Sequence, residues 1–411
     1  MTLINHSYKA LFAILLFIFA SACSDVPDEM SEKLSAADEL IEEAYNQSMF
    51  AGAVLLVGTA DEILHHKAFG YATLYDENLT VVSDIDSMRT DHIFDLASLT
   101  KIYATTYGLM ALYNDGEVDL DDPLSHYLPE FNKEGFSEIT IRHLLSHTSG
   151  LQPWVPTYYA AENAEERREL ILSLPPENPP GEERRYSDLG FMLLADLIEE
   201  ISEMPYLDYL ENRIYSRIGL PDTQFTPVGP LLKRTVSTSH GNPFEKKMIY
   251  DPDFGYNIEV DPESWDGWRT YTLKGEVNDG NAFYTHGGIA GHAGLFSTAG
   301  DLYKLSSVMI NEGIYNGIEL FTAETIRIFT TPGKFGHGLG WMMTPAALNA
   351  DSVSGVSMGH TGFTGTNVLV SPSQDLIYIL LTNRQHVGVD STGSYPDLRK
   401  LRIELSSTLF E

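Results

Sequence analysis

Ile93-Phe94-Asp95-Leu96-Ala97-Ser98-Leu99-Thr100-Lys101 runs without a break into the apolar positions Tyr103, Leu109, Met110 and Leu112. That spacing predicts a long helix with Ser98 at its start. Lys101 then lies one turn on, close enough for its amine to take the proton of the serine hydroxyl. A helix N-terminus also supplies backbone N–H groups and a positive dipole, both suited to an oxyanion. A capping serine followed by a surface lysine has the same letters, and one such pair is expected by chance in a chain of this length. The surrounding sequence has to decide between them.

Upstream, residues 52–57 and 63–68 are short β-rich runs separated by Gly58-Thr59-Ala60-Asp61, a hairpin pattern. Before them Ser35-Ala36-Ala37-Asp38-Glu39 caps a helix with Leu40, Ile41, Ala44 and Tyr45 at helical spacing. Downstream, residues 98–311 are mostly helical in pattern, broken by clusters such as Pro175-Pro176-Glu177-Asn178-Pro179-Pro180-Gly181. Residues 338–343, 367–370 and 376–381 again have strand character, and an amphipathic helix over 396–410 closes the chain. Strands at both ends with helices between predict an α+β, α/β sandwich-like fold. One antiparallel sheet, built from both chain ends and flanked by helices, carries an inserted, mostly helical domain at roughly residues 110–310.

The chain has 411 residues, 43% hydrophobic and 20% charged, enough for a sizeable core. Its 26 Lys+Arg against 58 Asp+Glu give a net charge of -32. Such a surface repels phosphate backbones and excludes nucleic acid as a partner. One cysteine rules out an intramolecular disulfide and a cysteine-based zinc site.

Residues 1–9 hold one positive side chain, Lys9, and no acid; residues 10–20 are unbroken apolar sequence, followed by Ser21 and Ala22. This is the layout of a secretory signal, too short to span a bilayer comfortably. Cys23 directly follows Ala20-Ser21-Ala22, which resembles the lipobox of bacterial lipoproteins, with Ala where Leu is usual. The resemblance implies loss of residues 1–22 as a signal peptide and lipidation of Cys23. It also implies a lipid-anchored place in the bacterial cell envelope, at the outer membrane and facing the periplasm. Two or three acyl chains anchor stably where one would not. Residues 23–35, with Asp25, Asp28, Glu29 and Glu32 against Lys33, are expected to form an acidic, solvated tether to a folded domain at 36–411.

Two further motifs follow the serine and lysine: Arg185-Tyr186-Ser187-Asp188-Leu189-Gly190, and Met358-Gly359-His360-Thr361-Gly362-Phe363-Thr364-Gly365. In this order and at these separations, the three resemble the Ser-x-x-Lys, Tyr-x-Asn and Lys-Thr-Gly elements of the serine β-lactamase and penicillin-binding protein superfamily. They are most similar to the class C β-lactamase-like serine hydrolases, which include esterases and D-alanyl-D-alanine carboxypeptidases. Residues 139–151, 218–223 and 291–298 extend the likeness, which runs from about Gly52 to the C-terminus.

The resemblance implies Ser98 as nucleophile, Lys101 as its base and Tyr186 as a second proton carrier that protonates the leaving group. It implies an oxyanion hole from the backbone N–H groups of Ser98 and Phe363, and substrate binding by Asp188, His360, Thr361 and Gly362. The reaction would be hydrolysis of an ester or amide, a D-alanyl peptide or a β-lactam, through an acyl-enzyme. No metal or organic cofactor is needed, and the partner is a small molecule or a peptidoglycan peptide. A penicillin-sensing or wall-binding protein with slow turnover is the other class the same motifs allow.

Two departures bear on this. His360 stands where lysine is usual, so an imidazole with an ordinary pKa near 6.5 replaces a fixed cation that helps bind a substrate carboxylate. Asp188 replaces asparagine, and if it pointed at Lys101 it would favour the charged amine, the wrong form for a base. Other patterns compete. Gly355-Val356-Ser357-Met358-Gly359 fits a nucleophile elbow, but that needs a helix after it, and His386 precedes Asp390 in the wrong order. His143 and His147 are four apart, yet no third zinc ligand suggests itself, so both are expected to hold a turn. His286 and His292 sit in a glycine-rich loop, read equally as site-lining or purely structural. The pocket walls are expected from loops around Tyr158, Trp265, Trp268 and Tyr284.

Overall fold

A computed structural model describes residues 28–254, 259–350 and 356–411. Cys23 and the rest of residues 23–27, the first part of the expected tether, lie outside the described residues. Six strands form the main sheet: β1 (Gly52–Gly58), β2 (Ile63–Tyr75), β3 (Val81–Ser87), β4 (Met358–Thr361), β5 (Asn367–Ser371) and β6 (Leu376–Thr382). Their spatial order is β4-β5-β6-β1-β2-β3, and every pairing is antiparallel. The first and last thirds of the chain meet where Ala53 pairs with Thr382.

Alternation along the central strands explains the layers. Val54 and Leu56 face one side together with Ile379 and Leu381, and join a large core with the helices Tyr107–Asn114, Asp188–Ser202 and Ala299–Ile310. Leu55 and Val57 face the other side with Tyr378 and Leu380, beneath the helices Asp28–Asn46 and Arg399–Phe410. Both faces are covered, so β1 and β6 are buried along their whole length although the sheet is antiparallel. Each such side chain contributes about 1.5–3 kcal/mol by leaving water.

The structure corrects three expectations. The N-terminal helix starts at Asp28, inside the expected tether, because Leu34 continues the stripe of Ala37, Ile41 and Ala44 onto the sheet. Residues 338–343 form no strand: Gly340 takes φ +80, and only Met342 bridges, to Gly359. The mostly helical region also holds short sheets, one of which joins Phe94–Asp95, Leu295–Ser297 and Gln224–Phe225.

Candidate active site

The stretch that opened the sequence analysis forms a braced turn. Phe94–Asp95 pairs with Leu295–Ser297, and the chain then turns through Ala97 at φ 46, a left-handed conformation unusual for a residue with a Cβ. The buried Asp95 holds it there, accepting from the N–H of Ala97 at 2.9 Å and of Asn278 at 2.7 Å. Burial pushes the Asp95 carboxyl up to about 6. Thr364 and Thr366 donate to the carbonyls of Asp95 and Leu96, which fastens the loop after β4 to the turn. Gly362 is pinched between them: a Cβ there would lie 2.0 Å from Thr366 Oγ1 and 2.5 Å from the Leu96 carbonyl. Ser98 emerges from this turn, and the following helix begins with a π-helical stretch, Lys101–Thr106.

Lys101 is wholly buried. Its Nζ donates to Ser98 Oγ at 3.0 Å and to the His292 carbonyl at 2.9 Å. The same atom lies 2.7 Å from Asp188 Oδ1, side-on, as an ion pair outside hydrogen-bonding alignment. Burial pushes the amine down, but the charges of Asp188 and then Tyr186 outweigh it and hold the ammonium well above the usual lysine range. Asp188 therefore does point at Lys101, and it favours the charged form.

Tyr186 is half-buried, with its ring 4.3 Å from that of His147 and its centroid 4.9 Å from Lys101 Nζ. Burial raises its phenol above the ordinary value, opposed by the Lys101 charge. Ser98 and Lys101 lie within reach of the hydroxyl, which has no aligned hydrogen-bond partner among the described residues. His360, on β4, donates from Nδ1–H to the Thr361 carbonyl at 2.8 Å, which leaves Nε2 as a buried lone pair without a partner. Burial and the Lys101 charge push this imidazole down to about 3. It is neutral at pH 7, not poised near 6.5.

These groups border a cavity of about 480 Å³ lined by Ser98, Tyr186, Asp188, His360, Thr361, Gly362 and Phe363. Among the described residues the backbone N–H groups of Ser98 and Phe363 make no hydrogen bond to the protein, so both are available to an oxyanion. Two opposite walls come from residues the sequence reasoning missed. One carries Arg384 and Arg402, whose hydrogen bonds go to the carbonyls of Phe363, Pro396 and Thr366 rather than to carboxylates. The other carries Asp279 and Glu245. Asp279 is half-buried, yet His292 Nε2–H at 2.9 Å holds it below the usual range; burial and the Asp279 charge push Glu245 up to about 8. Asp95 had a signal, three residues ahead of Ser98. The arginines and acids had none, being isolated letters in separate loops and helices.

The remaining candidates fall elsewhere. Ser357 is buried and bonds Ser371, and a strand follows it where an elbow needs a helix. His386 is engaged with the N–H of Leu74, and Asp390 braces its own turn. His143 and His147 each accept a backbone N–H on Nδ1, from Thr140 and Ser187. His292 lines the cavity, whereas His286 packs on Arg167 behind it. The rings of Tyr158, Trp265, Trp268 and Tyr284 pack tilted or edge-to-face on one another one layer back, and Tyr158 meets the cavity lining through its 2.8 Å bond to Glu245. The cavity walls come instead from Trp154, Phe244, Met248 and Tyr395.

A serine hydroxyl and a lysine amine at the head of a helix, facing the edge of an antiparallel sheet across a cavity, define a serine hydrolase of the β-lactamase and penicillin-binding protein superfamily. The chain belongs to the β-lactamase family, whose model matches residues 37–399. It is 32% identical over 386 residues to an Escherichia coli K12 protein named "Putative D-alanyl-D-alanine carboxypeptidase", covering 89% of this chain and 86% of that one. It is also 32% identical over 389 residues to a Bacillus subtilis protein named N-acetylmuramyl-L-alanine amidase, covering 90% and 85%. The class C β-lactamase of Rhodobacter sphaeroides shares the fold, with TM-score 0.66 and 19% identity over 91% of this chain and 98% of that one.

Proposed function

We propose that this chain hydrolyses D-alanyl peptides, or esters of similar shape, through an acyl-enzyme on Ser98. The observation that carries this is Lys101 Nζ at 3.0 Å from Ser98 Oγ, at a cavity lined by two arginines. Ser98 Oγ attacks the substrate carbonyl while the N–H groups of Ser98 and Phe363 hold the developing oxyanion. Tyr186 protonates the leaving amine or alkoxide, and water then releases the acyl group. Arg384 and Arg402, beside Thr361, take the terminal carboxylate of a D-alanyl peptide, the task a lysine at His360 would otherwise serve. The names of the relatives, a carboxypeptidase and an amidase, support amide substrates of the cell wall. The place of action would be the cell envelope, with the chain anchored by lipid on Cys23; palmitate incorporation that persists in Cys23→Ala would rule that anchor out.

The ion pair of Lys101 with Asp188 favours a second reading, a penicillin-sensing protein that acylates but turns over slowly. Residues 24–411 assayed on D-alanyl-D-alanine peptides, p-nitrophenyl acetate and nitrocefin separate the two. The expected result is release of D-alanine and p-nitrophenol, with slower action on nitrocefin, all reduced at least ~10³-fold in Ser98→Ala. Hydrolysis unchanged in that variant defeats the serine mechanism. Stoichiometric labelling by a fluorescent penicillin without any hydrolysis establishes the sensor.

A further inference from the structure

We propose that Asp188 is the proton store of the acylation step, reached through Lys101: Lys101 passes a proton to Asp188 as it receives the proton of Ser98. The inference rests on the hydrolase reading above and names how that site works.

The geometry is a chain of three groups. Lys101 Nζ sits 3.0 Å from Ser98 Oγ and 2.7 Å from Asp188 Oδ1, with the His292 carbonyl at 2.9 Å fixing the third direction. Lys101 is wholly buried and the Asp188 side chain is 18% exposed. An ion pair taken out of water seldom gains stability over a neutral pair of the same shape, so stability does not account for a carboxylate here. Its effect on chemistry is direct. A lysine above its usual range is neutral in fewer than about one molecule in 10³ at pH 7, so it cannot by itself serve as the base. A short rotation of the Asp188 carboxylate brings its side-on contact into line and gives the ammonium an acceptor.

The step balances. Ser98 Oγ forms a bond to the acyl carbon, and the carbonyl π pair moves to oxygen in the oxyanion hole. The Ser98 proton goes to Nζ and one Nζ proton to Asp188, so Lys101 keeps three protons throughout and Asp188 gains one. On collapse, the bond to the leaving atom breaks and its pair takes a proton from Tyr186. Tyr186 regains one from Lys101 and Lys101 regains one from Asp188. Nothing is oxidised or reduced. Asp188 acts through Lys101 and is a positioning residue.

The titratable and charged groups facing this pair are Tyr186, His147, His360, Arg184, Asp279 and His292, whose carbonyl accepts from Lys101 and whose ring bonds Asp279. Burial holds both imidazoles below their ordinary value, Tyr186 lies above 10, and Asp279 lies below the usual carboxylate range. None of these four titrates between pH 5 and 9. Glu245, on the cavity wall at about 8, does, but Glu245 and His292 are common to wild type and variants and cancel in a ratio.

The test measures kcat/KM on p-nitrophenyl acetate from pH 5 to 9 for wild type, Asp188→Asn and Asp188→Glu, with Ser98→Ala as control. In Asp188→Asn the lysine must be neutral to accept the proton. The ratio of wild type to Asp188→Asn is expected to fall about tenfold per pH unit across at least one unit of the range, while Asp188→Glu tracks the wild type. A ratio independent of pH, whatever its size, overturns the proposal. If Asp188→Asn does not fold, wild type alone decides: a pH-independent kcat/KM, apart from one inflection near 8, supports the store, and a tenfold rise per unit up to pH 9 overturns it. Hydrolysis by Ser98→Ala at the wild-type rate overturns the hydrolase reading itself, an outcome distinct from a flat ratio with Ser98→Ala inactive.

Discussion

At Lys101 two opposing effects of similar origin meet: burial favours the neutral amine and a carboxylate 2.7 Å away favours the ammonium. The carboxylate wins because a charge in direct contact, within a site shielded from water, acts at a low effective dielectric. At His360 no acid is in contact, and burial with the Lys101 charge wins, leaving a neutral ring with its proton fixed on Nδ1 by the Thr361 carbonyl. One substitution away from the usual motif letters thus fixes a cation and the other removes one. Gly362 shows the same sensitivity in steric form. Its missing Cβ is what lets the loop after β4 rest on the Leu96 carbonyl beside Ser98, and a contact of 2.0 Å to Thr366 Oγ1 cannot be relaxed without moving that loop. Gly362→Ala is expected to lower the melting temperature and reduce kcat/KM on p-nitrophenyl acetate by roughly 10²-fold, since a shift of about 1 Å at the reacting groups costs that much. Wild-type activity in that variant would show that the loop can yield.

At the scale of elements, the two terminal helices do matching work. Asp28–Asn46 and Arg399–Phe410 share one face of the sheet and cover β1 and β6, the strands that join the two ends of the chain. The periodicity of Leu40, Ile41 and Ala44 made the first of these legible, but its start was not, because the preceding acids resemble a tether. Tertiary packing overrode that composition through a single buried side chain per turn, Leu34 above Ala37 and Ile41. Strand β3 was missed for a related reason. With Asp84 and Asp86 it carries charge along an exposed edge, a pattern that blocks pairing with other chains and hides strand periodicity. The helix after Ser98 was foreseen; its π-helical opening turn was not, since it depends on how Lys101 and Thr105 bond the carbonyls of His292 and Gly291.

For the whole molecule, buried titratable groups set the response to acid. His147, His286, His360 and His386 are all held below 6.5 by burial, His360 and His386 down to about 3. A histidine whose folded value is depressed gives stability that is present above 6.5 and lost as pH falls towards the folded value. Asp95 and Glu245, raised to about 6 and about 8, work in the opposite sense and stabilise as pH falls through those values. The lowered histidines, His337 at about 4 among them, outnumber the raised carboxylates, so a net loss of stability is expected between pH 6 and 5. The melting temperature should fall by a few degrees from pH 6.5 to 5; an unchanged or higher value would mean that the imidazoles open to water. The architecture was legible in the letters because strand and helix periodicity are local, and the candidate residues Ser98, Lys101 and Tyr186 were legible because they sit in short motifs with fixed order. Their charge states and the cavity walls are set by tertiary packing. The Lys101 ion pair joins residues 87 apart in the chain, Arg384, Arg402, Asp279 and Glu245 come from separate loops and helices, and burial is a property of the folded whole.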